Sequence, residues 1–221
     1  ECQRLSRILH IFPAEKFTGP FIDFINTNFP QEDHLFYVMG NNSKYQDISN
    51  HTNVITALKS DRKMRTARRL ISQIKSSEKV IIHGLFSTKL ILLLRYLFLT
   101  RPSLKSKVYW VIWGGDLYNH FLRKRTRKSD TLNAFKKTVI SRFGNIVALV
   151  PGDYELAKEW YGAKGRRFSA FYPNPVDFGM LDAAASTKDT RSTAAARILL
   201  GNSASETNNH FDAIDLLAKR Q

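Results

Sequence analysis

Short apolar runs alternate along this chain with longer stretches whose apolar positions recur at helical spacing. The run "RILHIF" (7–12) predicts a first strand ended by Pro13, because proline has no N–H to give to a ladder. A helix is expected from Gly19 to Asn28, stopping before Pro30. "HLFYVMG" (34–40) predicts a second strand, closed by the turn "NNS", and "TNVITAL" (52–58) a short third. In "DRKMRTARRLISQIKSS" (61–77), Asp61 stands where a helix cap belongs, and Met64, Ala67, Leu70, Ile71 and Ile74 follow helical spacing with basic residues elsewhere. "KVIIHGLF" (79–86) is a continuous apolar run, as a parallel strand covered on both faces requires. A helix over 87–100, a strand in "KVYWVIWGG" (107–115) and a basic helical region over about 117–142 come next. "NIVALVPG" (145–152) reads as a strand, Asp153 to Tyr161 as a helix, and "RRFSAFYP" (166–173) closes the series.

Strands separated by helices in this rhythm predict a doubly wound α/β sheet. Ligands of such sheets bind beyond the carboxyl ends of the strands. His83-Gly84, Gly114-Gly115-Asp116, Pro151-Gly152-Asp153 and Tyr172-Pro173 all fall there. The stretch "DAAASTKDTRSTAAAR" (182–197) is small, polar and poor in apolar residues, so it reads as a linker or an exposed helix. "RILLGNSAS" (197–205) then starts a new strand–loop unit, and "NNHFDAIDLLAKR" begins a helix. The expected organisation is a first domain over 1–176, a linker over 177–196, and the beginning of a second domain over 197–221.

Composition narrows the class. Of 221 residues, 43% are hydrophobic, enough for a core, and 34 Lys and Arg against 19 Asp and Glu give a formal net charge of +15. That balance favours an anionic partner: nucleic acid, an acidic membrane surface or a phosphorylated substrate. Cys2 is the single cysteine, so an internal disulfide is excluded, and no Cys/His set has zinc spacing. The most apolar run, "LILLLRYLFL" (90–99), is interrupted by Arg95 and is shorter than the ~20 residues a membrane span needs. It reads as a buried or interfacial helix. The chain opens on Glu1 and stops at Gln221 inside a helical pattern, as expected of a piece of a longer protein.

Four segments carry candidate chemistry. "HGLFS" (83–87) sets His83 at a strand end and Gly84 in a turn, ahead of a helix N-terminus suited to an anion; the other reading is a structural turn with a histidine satisfying backbone groups. "WVIWGGDLY" (110–118) is more specific. Gly114 and Gly115 let the backbone approach a ligand, and Trp113 and Tyr118 offer flat faces on which sugar rings pack. Asp116 suits two roles, an N-cap of the next helix or a general base for a sugar hydroxyl. Trp110 shares a strand face with Ile112 and belongs in the core. "FLRKRTRKSD" (121–130) and "FKKTVISR" (135–142) hold eight Lys and Arg and one acid. They form either a solvated helix face or an anion-binding surface, in which Arg123, Lys124, Arg125, Arg127 and Lys128 would meet anionic lipid. In "LLGNSASETNNH" (199–210), Gly201, Asn202 and Ser203 can present donors to a diphosphate at a helix N-terminus. The loop is neither a Walker loop nor a GxGxxG motif, and GxSxG and HExxH are absent from the sequence.

Taken together, "IIHGLFS", "VYWVIWGGDLY" and "ILLGNSASETNNH" resemble the bacterial TDP-N-acetylfucosamine:lipid II N-acetylfucosaminyltransferases, glycosyltransferase family 56. The matched positions are His83, Gly84, Trp113, Gly114, Asp116, Tyr118, Gly201, Asn202, Ser203, Asn208 and His210. The resemblance implies a GT-B arrangement, with a Rossmann-like N-terminal domain for a saccharide acceptor on undecaprenyl pyrophosphate and the truncated start of a second Rossmann-like domain for a dTDP-sugar donor. Gly201, Asn202, Ser203, Asn208 and His210 would serve the donor, His83 and Asp116 the chemistry, and Gly84, Trp113, Gly114, Gly115 and Tyr118 the acceptor. It further implies a peripheral protein on the cytoplasmic face of the bacterial inner membrane, working in enterobacterial common antigen-like glycan synthesis, with no metal, no cofactor and no nucleic-acid partner. Two other classes stand beside it: a basic protein that binds nucleic acid or membrane by charge, whose binding would weaken steeply with salt, and a truncated transferase that binds without catalysis.

Overall fold

The computed structural model describes residues 7–40, 51–57, 63–122, 126–172, 178–186 and 210–219. The chain divides into two compact units, Glu1–Pro175 and Val176–Gln221. The first is a seven-stranded sheet in the order β3-β2-β1-β4-β5-β6-β7, parallel throughout. Its strands are β1 (Ile8–Pro13), β2 (His34–Met39), β3 (Val54–Ala57), β4 (Lys79–His83), β5 (Val108–Ile112), β6 (Asn145–Ala148) and β7 (Arg166–Ser169). The order reverses between β1 and β4, so their carboxyl ends diverge into separate loops and leave a crevice, the place where such sheets bind ligands. This is the Rossmann-like sheet the sequence predicts.

Burial explains the layers. On one face, Leu9, Ile11, Val80, Ile82, Trp110 and Ile112 form a core. Helices α2 (Lys63–Ser76), α3 (Thr88–Thr100), α5 (Arg127–Ile140) and α6 (Pro151–Tyr161) pack on it, joined by Leu117 from the short helix before α5. On the other face, α1 (Thr18–Asn28) sets Ile22 and Ile25 against Phe12, Phe36 and Val38. The apolar run at 90–99 forms most of α3, with Leu90, Ile91, Leu94, Leu97 and Phe98 inward and Leu92, Tyr96 and Leu99 exposed. Among the described residues no helix is long and apolar enough to cross a membrane.

Several strands end earlier than their apolar runs suggest, because the same residues build loops. β4 stops at His83, since Gly84 takes φ +82°, a conformation that glycine adopts without steric cost. β5 stops at Ile112, two residues before Gly114 at φ +76°. β6 stops at Ala148 because Pro151, lacking an N–H, opens α6 at its first position. The basic region over 117–142 is two helices, α4 (Gly115–Leu122) and α5, the latter opened by a capping box between Thr126 and Ser129.

In the second unit, α7 (Phe178–Ser186) lies in the stretch expected as a linker, so that stretch is helical at its start. α8 (His210–Ala218) answers to the expected final helix. The strand expected near 197 lies outside the described residues.

Candidate active site

Two loops meet at the carboxyl ends of β4 and β5. In the first, Gly84 donates its N–H to the Val111 carbonyl at 3.1 Å, and a Cβ there would collide with the Phe86 ring. In the second, Gly114 turns the chain so that α4 starts at once. Asp116, 1% exposed, ties the loops together. Its Oδ2 accepts the Leu85 N–H at 2.8 Å and the Trp110 indole N–H at 2.8 Å, and its Oδ1 accepts the Trp113 N–H at 2.9 Å. Burial raises the pKa of this carboxyl, while the neighbouring Lys136 ammonium and the three donors oppose that rise.

This geometry revises the role expected of Asp116. Both carboxylate oxygens are engaged by protein N–H groups, and neither faces an open site. Asp116 reaches back to Trp113 as a residue early in a helix does, and its carboxylate joins the two loops. The expected pairing of Trp113 and Tyr118 as two walls of one pocket also changes. Trp113 packs with the Phe12 and Phe36 cluster. Tyr118 packs on the opposite core, donates its hydroxyl to Asp153 and meets Trp160 edge-on at 5.9 Å. That hydrogen bond and burial push the Tyr118 phenol up to about 12.

A different cluster gathers around His83. Its Nδ1 contacts the Tyr172 hydroxyl, which also accepts the Trp113 indole N–H at 2.8 Å. Its Nε2 lies 3.1 Å from His10 Nδ1, and His10 Nε2 lies 3.0 Å from His34 Nδ1. The His83 ring stacks on Phe12 with centroids 3.6 Å apart. Burial holds His83 well below the usual imidazole range and His10 at about 3, so both are neutral at pH 7. Burial pushes the Tyr172 phenol up, the hydrogen bond from Trp113 opposes that rise, and the Asp116 carboxylate adds to it. Trp113 and Tyr172 are half-buried and stand at the outer end of this cluster, so they are what an incoming hydroxyl would meet.

Beside the cluster, on the opposite side of the β1–β4 crevice, opens an apolar cavity of about 570 Å³. Its walls include Met39, Leu70, Leu90 and Leu93, and its rim carries Gly84, Ser87 and Lys89 at the start of α3. Ser87 caps α3 by accepting the Leu90 N–H at 3.4 Å. Phe86 separates the two regions: it lines the cavity and meets Trp113 edge-on at 6.0 Å.

Of the residues singled out in the sequence, His83, Gly84, Trp113, Gly114, Gly115 and Asp116 come together around these two loops, with Gly115 opening α4. Arg127 and Lys128 are exposed on the first turn of α5. His210 opens α8 in the second unit. Arg123, Lys124, Arg125, Gly201, Asn202, Ser203 and Asn208 lie outside the described residues. Sequence reasoning passed over His10 and His34 and gave Tyr172 no role. The available signal was a histidine inside each of two otherwise apolar strands, "RILHIF" and "HLFYVM".

The sheet resembles solved short-chain dehydrogenases/reductases from Veillonella parvula DSM 2008. One, in complex with NADP, is 13% identical with a TM-score of 0.43, covering 64% of this chain and 68% of that one. An ethylated form is 11% identical with a TM-score of 0.43, covering 65% and 68%. The family described as 4-alpha-L-fucosyltransferase glycosyl transferase group 56 matches residues 15–221, nearly the whole length. That match takes in six of the seven strands and both loops that meet at the crevice, and the chain belongs to glycosyltransferase family 56, the 4-alpha-L-fucosyltransferases.

Proposed function

We propose that the protein transfers an N-acetylated deoxyamino sugar, of the Fuc4NAc type, from a dTDP-sugar to a saccharide carried on undecaprenyl pyrophosphate, at the cytoplasmic face of the bacterial inner membrane during enterobacterial common antigen-like glycan assembly. Family membership supports glycosyl transfer from a nucleotide sugar to a glycan. The observation that carries the finer reading is the apolar cavity beside the Trp113–Tyr172–His83 cluster. Its size falls in the range of small-molecule sites, about 300–1,000 Å³. An apolar chain fits its walls. The pyrophosphate fits the rim, where the first N–H groups of α3 and the Lys89 ammonium favour negative charge.

In this reading, the acceptor sugar lies across Phe86 towards Trp113 and Tyr172. A sugar hydroxyl is a weak nucleophile at neutral pH, and a base within reach speeds its attack on the anomeric carbon. The Tyr172 oxygen receives that proton while its own moves to His83 Nδ1. Asp116 keeps Leu85 and Trp113 in register, so that the cavity rim and the aromatic wall hold one geometry. The departing dTDP takes the electrons of the broken C–O bond.

The test uses the full-length protein with a dTDP-sugar and either a prenyl-pyrophosphate-linked saccharide or the same saccharide free. Transfer to the lipid-linked acceptor alone is expected. Ala67, an exposed residue at the cavity wall, can be enlarged without disturbing the core. Ala67→Trp should raise the acceptor KM by about tenfold, equivalent to ~1.4 kcal/mol, with the donor KM unchanged. Equal transfer to the lipid-free saccharide, or an acceptor KM that ignores Ala67→Trp, would refute the proposal.

A further inference from the structure

The three buried histidines form a row with a direction. Strand register sets it up: His34 pairs with Ile8, two residues before His10, and His10 pairs with Ile81, two residues before His83. Each step therefore moves one strand across and two residues along, and all three side chains share one face of the sheet. The row runs diagonally from the amino end of β2 to the carboxyl end of β4. Successive rings have centroids 5.3 and 5.4 Å apart and planes within 26°. The nitrogens also run in one sense. Nδ1 of each ring faces the cleft side of the row, and Nε2 of His83 and of His10 faces the next ring.

We propose that His83, His10 and His34 are a proton path through the sheet, carrying the proton of the acceptor hydroxyl from Tyr172 to solvent at the opposite end of the strands. The proposal rests on the functional reading given above. A neutral imidazole has one N–H donor and one bare nitrogen, so a head-to-tail row of neutral rings passes a proton in at Nδ1 and out at Nε2. His10 and His83 are held neutral by burial, as the row needs at rest. The far end reaches a polar recess of about 330 Å³, lined by His34 with Arg7, Gln31, Glu32, Thr52 and Asn53. Among the described residues, the Tyr172 phenol faces the inner end of the row, and at this outer end lie Arg7 and Glu32 in the recess and Asp33, which raises the His34 pKa against the lowering effect of burial.

A purely structural role accounts poorly for the arrangement. The surrounding rings are Phe12, Phe21 and Phe36, so the face is built to be filled by apolar side chains. Burying a polar group costs stability unless it is hydrogen-bonded, and an apolar residue of similar shape avoids that cost. Three consecutive polar rings, each needing the next, connect one end of the sheet to the other.

The step balances. As the acceptor oxygen bonds to the anomeric carbon and the sugar–phosphate bond breaks, the hydroxyl proton passes to the Tyr172 oxygen and the Tyr172 proton to His83 Nδ1. The His83 Nε2 proton passes to His10 Nδ1, the His10 Nε2 proton to His34 Nδ1, and the His34 Nε2 proton to water. The row is reset when a solvent proton returns through His34 and one leaves through Tyr172 into the cleft.

Two measurements on the full-length protein test this. With 15N-labelled histidine, scalar coupling across the N–H···N bonds should link His10 to both His83 and His34; its absence at either bond overturns the path. Kinetics form the second arm. His10 lies behind His83 and away from the cleft, so His10→Phe should lower kcat at least tenfold while both KM values stay within twofold. In mixtures of light and heavy water, the parent kcat should follow a bowed curve, with several protons in flight, and the variant a straight line. If His10→Phe folds too poorly to assay, His34→Asn at the rim carries the same forecast. An active parent whose kcat and curve survive these substitutions sinks the path alone. A parent that transfers no sugar sinks the functional reading and the path with it.

Discussion

Asp116 shows how a carboxylate just after a strand end can be engaged wholly by the protein around it. Its carboxylate joins a loop after β4 to a loop after β5, and every bond it makes is to an N–H donor. An asparagine has one oxygen and an NH₂ group, so Asp116→Asn sets a donor against a donor. At least one of the Leu85, Trp110 and Trp113 N–H groups then loses its acceptor. A buried donor left unsatisfied costs about 1–3 kcal/mol, and the thermal midpoint should fall by roughly 2–4 °C per kcal/mol for a domain of this size. The check measures melting and turnover together. Lost activity with a lowered midpoint fits a positioning residue. A normal midpoint with abolished turnover would return Asp116 to the role of base. Capping and chemistry remained open for this residue in the sequence because both ask for an acid just after a turn; the indole of Trp110 and the backbone of Leu85, contacts made through folding, separate them.

At the scale of elements, the histidine row couples β2, β1 and β4 to pH. Unfolded, each histidine takes up a proton near its ordinary pKa of about 6.5. Folded, His10 stays neutral down to about 3, and His83 is also held low by burial. Below pH 6.5 the unfolded chain therefore binds more protons than the folded one, and stability falls as pH falls. At pH 5 the loss amounts to about 2 kcal/mol for each histidine that stays neutral. Denaturant melts from pH 7.5 to 5 should show this decline, and His10→Phe should flatten it. A parent whose stability is level across that range would show that the row accepts charge readily. The same scale explains why strand lengths were overestimated from the apolar runs. "HGLF", "WGG" and "LVPG" continue the hydropathy of a strand, but Gly84, Gly114 and Pro151 turn the backbone. Apolar character alone does not extend a strand: Phe86 and Val150 lie beyond the strand ends and are exposed.

At the scale of the whole molecule, the net charge of +15 bears on where the protein works. We propose that the start of α5 helps hold it to anionic lipid. Arg127 and Lys128 stand exposed there, next in sequence to Arg123, Lys124 and Arg125. A basic residue near an anionic membrane contributes about 1 kcal/mol, and salt screens it. Charge reversal at Arg127 and Lys128 should weaken binding to phosphatidylserine vesicles by more than tenfold at low salt, with the difference shrinking as salt is added. Equal binding by parent and variant would leave these residues as a solvated helix face.

The sequence by itself determined the strand and helix rhythm, the parallel sheet and the turns that end β4 and β5. Those features follow from local hydropathy, glycine and proline geometry, and the family's spaced motifs, all of which are written in consecutive residues. Only the tertiary structure decided which groups meet. Trp113 and Tyr118 are five positions apart yet pack in different hydrophobic clusters, while Tyr172 reaches His83 across 89 positions. Likewise, one histidine in each of β1 and β2 is unremarkable alone. The offset of two residues between neighbouring strands, set when the sheet pairs, brings His34, His10 and His83 within hydrogen-bonding distance of one another.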